Sequence, residues 1–524
     1  MNLNNNHILN DKYLGSFLSS VIGDVLGWPQ EQNSNNTYKS YKKNKDFQSW
    51  QRVAGSRFHK HIETMNAGEY SDNTQLTIAT ARSLLSEKEW YNNFVQVELP
   101  FWLNYERGGG TSTKKACKSW MKSVAPWKSK DSKFVHEYFH SGGNGAVMRI
   151  MPHVFQHSEN KKLIARDVFK NALATHGHPK ALVSSLVYAM SLNYLLHLNK
   201  RLEYGEIVDY LINNCLDWSS IPNLGKMDEW YEMARKVYGQ SYSEVWKIEV
   251  DSIIGNLYQI KSELNKGLMS NTQKTLEEIG CFKSSINGSG SVTILSAIYI
   301  FSKYATSPQT AIMEAAFFKN ADTDTLASIV GGLFGILYGT EWIPKEWSLI
   351  QDKEFITKIT NGLFLNIDKK GVVYEPWTEK QKVKFVKTVK KSKLGDRIGL
   401  DFLGYLELNG IYKCESKVKN YEFTNYKYVT KDGQILYIKI ISKIIGLDTK
   451  VKSEKIKLSV EDINFDFLDK IVLIAPDLSF KDGVELLKLL EKLNGKKLEE
   501  DMIVRKQIPL NNKQLLELEK NLSF

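Results

Sequence analysis

Residues 321–339 read ADTDTLASIVGGLFGILYG. Two aspartates alternate with two threonines, and a run of small and apolar residues follows. Such a run buries as a helix, so the carboxylates of Asp322 and Asp324 stand at the mouth of a core. Two readings fit residue types of this kind. The carboxylates cap a helix and complement its dipole, or they offer hard oxygens to a metal ion. A third pattern, the D-x-D-x-[TV] motif of aspartate-nucleophile phosphatases, needs a buried strand just upstream. Here MEAAFFKNA precedes and reads as a helix and a polar turn, and Leu326 takes the final position.

Working outward, the chain has 524 residues, 42% hydrophobic and 25% charged, with a net charge of +11. This is globular composition at a length that implies two or more domains. The basic balance suits an anionic partner, although solvated lysine faces give the same count. The four cysteines (Cys117, Cys215, Cys281, Cys414) make no C-x-x-C pair, so no thiolate zinc site or redox motif is expected. The N-terminal stretch has no basic region followed by an apolar one, and no run of about 18 apolar residues occurs. A cytoplasmic protein without a membrane partner is the expectation.

Leu14, Phe17, Leu18, Val21, Ile22, Val25 and Leu26 recur at helical spacing, and Pro29 is expected to end that helix. Residues 31–60 read as a long polar loop, and a helix starts near Ser71. Further helical patterns fall near 90–105, 113–123, 145–156, 162–174, 179–198, 204–215, 227–266, 290–305, 308–318 and 324–338. No period-2 alternation is sustained before residue 345. The fold expectation is therefore an all-α domain over residues 8–345, a helical or basic linker over 346–393, and a smaller α/β or α+β domain over 394–524. In that last part, GYLELNGIYKC and YKYVTKDGQILYIKIIS read as strands with a turn at Asp432-Gly433. KIVLIAPDLSF reads as a buried strand, and KDGVELLKLLEKL as an amphipathic helix.

Polar residues interrupt the helical pattern in four places. GDVLGWPQE (23–31) sets Asp24 beside an apolar face, with Gly23 and Gly27 permitting close backbone approach, and ends on Glu31. Ser71-Asp72-Asn73-Thr74 caps a helix, or supplies a hydroxyl, a carboxylate and an amide oxygen to a metal. GGNGAVMR (142–149) is a plain turn, or a loop whose amides cradle phosphate. His176 and His178, in THGHP, bind metal or simply hydrogen-bond within a loop. Asp322, Asp324 and Thr325 complete the set.

Taken in order, these motifs resemble the ADP-ribosylglycohydrolase family over residues 10–342. GSGSV (288–292) resembles the family's glycine loop near the distal ribose. The resemblance implies an all-helical hydrolase with two magnesium ions. By position it makes Ser71, Asp72, Asn73, Asp322, Asp324 and Thr325 the metal ligands. Glu31, Asp72 and Asp322 become catalytic. Gly143, Asn144, Gly145, His176, Gly288 and Gly290 become the substrate-binding set. The family usually has an aspartate where this chain has Asn73, which implies weaker binding of one ion. The implied reaction is release of ADP-ribose from a modified protein, with arginine the leading acceptor. Two alternatives are ADP-ribosylated nucleic acid, reached through a basic C-terminal domain, and a non-catalytic ADP-ribose binder or toxin-neutralising partner.

Overall fold

The computed structural model describes residues 3–33, 45–55, 59–86, 89–365, 374–418 and 421–443. The chain divides into two units, of which the first runs to Ile445. The expected strand KIVLIAPDLSF and the helix after it lie outside the described residues.

The first unit is mostly helical, built around an antiparallel helix pair. Helix α1 (Leu3–Asn33) is longer than its apolar period suggested, and Pro29 lies inside it rather than at its end. The one hydrogen bond that proline forgoes is offset by burial, because Trp28 beside it is fully enclosed. Helix α2 (Asp72–Ser86) begins where Ser71 predicted. Helices α3 (Pro179–Leu196), α4 (Gly290–Lys303) and α5 (Thr323–Tyr338) form much of the buried centre. Their residues are buried nearly all round, so their interior placement follows from composition more than from amphipathic pattern. The pattern expected over 227–266 is two helices, Asp228–Tyr238 and Tyr242–Leu264. Gly239 in left-handed conformation stops the first, and a Ser241–Glu244 capping box starts the second.

The α1–α5 seam rests on missing side chains. A Cβ on Gly23 would lie 2.1 Å from the Ala327 carbonyl oxygen, one on Gly331 2.1 Å from that of Ser19, and one on Gly335 2.1 Å from that of Gly15. Nothing but glycine fits at that spacing. Hydroxyls close the seam: Ser16 donates to the Gly332 carbonyl (2.8 Å), Thr323 donates to that of Gly27 (2.7 Å), and Ser20 pairs with Ser328 (2.7 Å).

The first 345 residues are not wholly helical. Strands β1 (Trp50–Ala54) and β2 (His61–Met65) lie in and just beyond the stretch read as a loop. They join β3 (Arg397–Leu400), β4 (Gly404–Ser416), β5 (Tyr421–Thr430) and β6 (Ile435–Lys443) in one antiparallel sheet. The path runs β1-β2-β4-β5-β6, with β3 also on β4, and β2 meets β4 at His61–Ser416 and Ile62–Glu415. β1 and β2 are short, and their alternation is carried by polar residues such as Arg52, His61 and Glu63, so period-2 hydrophobicity never appeared in the sequence. The hairpin turn at Asp432-Gly433 is as expected, with Gly433 at φ +98°. Leu406, Leu408, Tyr428, Leu436, Ile438 and Ile440 bury one face of the sheet.

The expected linker also packs in the first unit. Helix α6 (Lys353–Leu365) and helix α7 (Glu379–Val389) belong to it, α7 burying Phe385 and Val389. The Phe101 ring meets Trp377 at 4.9 Å and Phe385 at 5.8 Å. Among the described residues no helix is long and apolar enough to cross a membrane.

Gly23→Ala and Gly331→Ala should each cost roughly 2–3 kcal/mol or more, because backbone must move to admit the methyl group. Gly255→Ala, on the exposed face of Tyr242–Leu264 with open space around it, should gain up to about 1 kcal/mol. Urea denaturation of the three variants checks this; equal effects would remove the seam as the cause.

Candidate active site

The site lies where the starts of α2 and α5 face each other across α1. Asp24 of α1 is fully buried and accepts hydrogen bonds from the Ser71 backbone N–H (3.1 Å), the Thr74 N–H (3.1 Å) and the Thr74 hydroxyl (2.6 Å). It thereby caps α2 from another helix, satisfying N–H groups that have no partner within the helix. Burial pushes its carboxyl up to about 6, against the pull of those hydrogen bonds. Ser71 caps as well, accepting from the Asn73 N–H at 3.2 Å.

Asp72 and Asp324 are buried, and both carboxyls are pushed well above the usual carboxylate range. Burial is the main cause for each. The charges of Asp24, Glu106, Glu31 and Asp322 add to the effect on Asp72, and those of Glu31, Asp322 and Asp24 to that on Asp324. The two helix starts touch directly, the Thr325 hydroxyl donating to Asn73 Oδ1 at 3.3 Å. Asn73 Nδ2 is buried without a partner.

Asp322 is the N-cap residue of α5 but makes no side-chain cap hydrogen bond. Its Oδ2 instead accepts from Asn144 Nδ2 at 3.0 Å, so the simple capping alternative fails for this residue. Glu31 sits in the last turn of α1, in a helix and not in the polar loop expected from residue 31 onward, and its charge reaches Asp72 and Asp324.

The two glycine loops form one structure. Gly143 bridges Ser289 in antiparallel fashion, the Asn144 N–H donates to the Gly288 carbonyl (2.9 Å), and the Gly290 N–H donates to the Gly142 carbonyl (2.9 Å). Asn144 Nδ2 also donates to Thr293 Oγ1 at 3.0 Å. The donors of Asn144 are thus engaged within the protein, and it acts as a strut between the loop and Asp322.

His176 is buried beside this loop, and its imidazole, desolvated and near Arg149, is lowered to about 3 and stays neutral. Arg149 donates to Thr175 Oγ1 (2.8 Å), which lies 2.7 Å from His176 Nδ1. Thr175 Oγ1 thus links Arg149 to His176 Nδ1, and Nε2 is the ring nitrogen near Gly143. Arg149 also donates to the Gly145 carbonyl at 3.0 Å. His178 serves differently: it caps α3, accepting from the Lys180 N–H at 3.1 Å.

Sequence reasoning missed a third loop, Glu106-Arg-Gly-Gly-Gly110. Gly108 lies against Asp72, and Glu106 accepts from the Gly109 N–H at 3.1 Å. The triple glycine was a readable signal. Its anchor was not: Arg107 pairs with Glu69 (2.7 Å) and stacks 3.8 Å over the Tyr437 ring, and Tyr437 donates to Glu69 at 2.5 Å. Tyr70, next to Ser71, donates to Asp352 at 2.6 Å, and Asp352 accepts from the Ile435 N–H at 3.0 Å. Strand β6 therefore holds both the approach to α2 and the third loop.

As a metal site the donor set is mixed. Among the described residues no three His, Cys, Asp or Glu side chains converge closely enough to hold an ion by themselves. The carboxylates of Asp72 and Asp324 are accompanied by the oxygens of Ser71, Asn73 and Thr325. Such hard neutral oxygens, with the surplus of buried negative charge, fit magnesium.

The sequence profile of the ADP-ribosylglycohydrolase family matches residues 5–372. No curated protein matches the chain. Among solved structures, one described as an ADP-ribosylglycohydrolase-related protein complex is 18% identical, with a TM-score of 0.43, covering 68% of this chain and 99% of that one. The family match takes in well over half of the 524 residues, together with the aspartates, the glycine loops and the histidine that meet in the site, and the chain belongs to the ADP-ribosylglycohydrolase family.

Proposed function

We propose that this protein is a magnesium-dependent hydrolase that releases ADP-ribose from ADP-ribosylated protein, with arginine as the acceptor. The observation that carries the reading is the meeting of Asp72 and Asn73 with Asp322, Asp324 and Thr325 from helix starts about 250 residues apart, under a joined pair of glycine loops. Ser71, Asp72, Asn73, Asp322, Asp324 and Thr325 would hold the metal. Magnesium bound there supplies positive charge that orients the ribose hydroxyls and polarises the sugar.

The chain's own groups then have separate tasks. Asp72 or Asp322 accepts a proton from the water that attacks C1″ as oxocarbenium-like charge develops. Glu31, less enclosed than Asp72 and Asp324, hands a proton to the departing acceptor. Gly143 and Gly145 bring backbone close to the diphosphate, braced by Asn144. Neutral His176 hydrogen-bonds the ADP-ribose from beneath the loop through Nε2. The compartment is proposed to be the cytoplasm. Nucleic acid as acceptor, targeted by basic residues after 394, remains the arm against which the protein substrate is compared.

Incubation with ADP-ribosylarginine protein and with ADP-ribosylated DNA, each with and without Mg²⁺, should release ADP-ribose from the protein only with magnesium. Release from neither substrate sinks the enzymatic reading. Asp322→Ala and Asp324→Ala should lower kcat/KM on the order of 100-fold or more with the fold retained.

The raised carboxyls give a sign for the pH dependence. A carboxyl whose folded pKa is raised makes the folded state bind more protons than the unfolded one above about pH 4, so stability falls as pH rises through the folded pKa, about 6 for Asp24. A divalent cation competes with those protons. Magnesium should therefore raise Tm more at pH 8 than at pH 5, and not at all in Asp324→Ala. An equal shift at both pH values would count against these carboxylates as ligands.

Asn73→Asp restores a carboxylate beside Thr325 and should lower the magnesium concentration for half-maximal activity by about tenfold. Unchanged magnesium dependence would remove Asn73 from the ligand set.

A further inference from the structure

Trp28, Trp102, Trp218, Trp230 and Trp347 are the fully buried tryptophans among the described residues. Four of them spend the indole N–H: Trp102 on Gln75 (2.9 Å), Trp218 on the Leu211 carbonyl (2.9 Å), Trp230 on Tyr138 (3.1 Å) and Trp347 on the Lys45 carbonyl (2.7 Å). The Trp28 N–H alone of the five has no partner. A buried donor left unpaired costs free energy, so its retention calls for a use.

The place of that N–H gives the use. A Cβ built on Gly108 would lie 3.1 Å from Asp72 Oδ1 and 3.3 Å from Trp28 Nε1, with nothing nearer. Asp72 Oδ1 and Trp28 Nε1 thus both lie within 3.3 Å of one spot beside Gly108. Gly108, at φ +96°, carries no side chain to fill it.

The indole is held in that attitude from the sheet. Trp50 of β1 meets it edge-on at 5.2 Å and 85°, and the Arg52 guanidinium lies 5.1 Å from its ring centroid. Arg52 is fixed by Glu63 of β2 at 2.8 Å, and Glu63 also pairs with Lys439 of β6. The ring is thereby packed against a buried ion-pair network.

We propose that Trp28 is a binding residue of the active site, its indole N–H donating to a hydroxylic oxygen that in turn donates its proton to Asp72. A water poised for attack and a ribose hydroxyl share this chemistry. The proposal rests on the reaction proposed above.

The test compares Trp28→Phe with the parent in the full chain, measuring release of ADP-ribose from ADP-ribosylarginine protein. Methanol competition gives the ratio of methyl ADP-ribose to ADP-ribose, and calorimetry gives ADP-ribose affinity. Loss of one donor to a reacting oxygen lowers kcat by about tenfold or more. If the oxygen is the attacking water, kcat falls and the methanol ratio changes. If it is a ribose hydroxyl, KM and the Kd for ADP-ribose rise by a similar factor and the ratio holds. Values all within twofold of the parent overturn the proposal, as does a fall in kcat with ratio, KM and Kd unchanged. A parent that releases no ADP-ribose sinks the reaction instead, and the Kd then decides: about tenfold weaker binding by Trp28→Phe supports the contact, and equal binding overturns it. Should Trp28→Phe not fold, Gly108→Ala takes its place, because a methyl group in the same space should reproduce the loss with the indole intact, and parent-like values overturn the proposal.

Discussion

The backbone-to-backbone seam of α1 and α5 sets the distances on which the site depends. Gly23 meets Ala327 and Gly331 meets Ser19 closer than any side chain allows, so the two helices cannot slide or roll relative to one another without a clash. Asp24 and Glu31 ride on one helix, two turns apart, and Asp322 and Asp324 stand at the start of the other. Fixing the seam therefore fixes the four carboxylates together. Asp24 then carries the constraint outward by capping α2, which puts Asp72 and Asn73 opposite Thr325.

That geometry concentrates negative charge in a poorly solvated place. The folded chain tolerates it because Asp24 is hydrogen-bonded by α2 and Asp322 by Asn144, while Asp72 and Asp324 are held toward the protonated state. Arg149, nearby and buried, makes its hydrogen bonds to neutral groups on the glycine-loop side, the Gly145 carbonyl and Thr175 among them. The site is thus divided: acidic groups at the helix starts, and neutral or basic groups braced beneath the glycine loops.

Much of this was legible in the sequence because it is local. Ser71 announces α2, the small apolar run after Thr325 announces a buried helix, and the motif order points to the family. What was hidden depends on distant partners. Asp24 reads as a polar blemish on an apolar face until Ser71 and Thr74 stand beside it. Strands β1 and β2 alternate with Arg52, His61 and Glu63 in place of apolar residues, so no hydrophobic period marks them. Their polar faces make sense only when Lys439 arrives from β6, far along the chain. The 227–266 segment was misread for the opposite reason: a strictly local event, the left-handed Gly239 with Ser241 behind it, broke a long periodic run.

The sheet changes what the residues beyond the helical core are for. Tyr437 and Ile435 of β6 grip Glu69, Arg107 and Asp352, which flank the approach to Asp72 and the loop against it. Arg52 of β1 packs against Trp28, whose Nε1 lies with Asp72 beside Gly108. Strands from both ends of the first unit thus support the residues around one carboxylate. A carboxylate pushed up by burial and by like charge is sensitive to small displacements of its neighbours, since its protonation and its direction both follow from them. The α1–α5 seam sets where Asp72 lies, and the sheet sets what it faces.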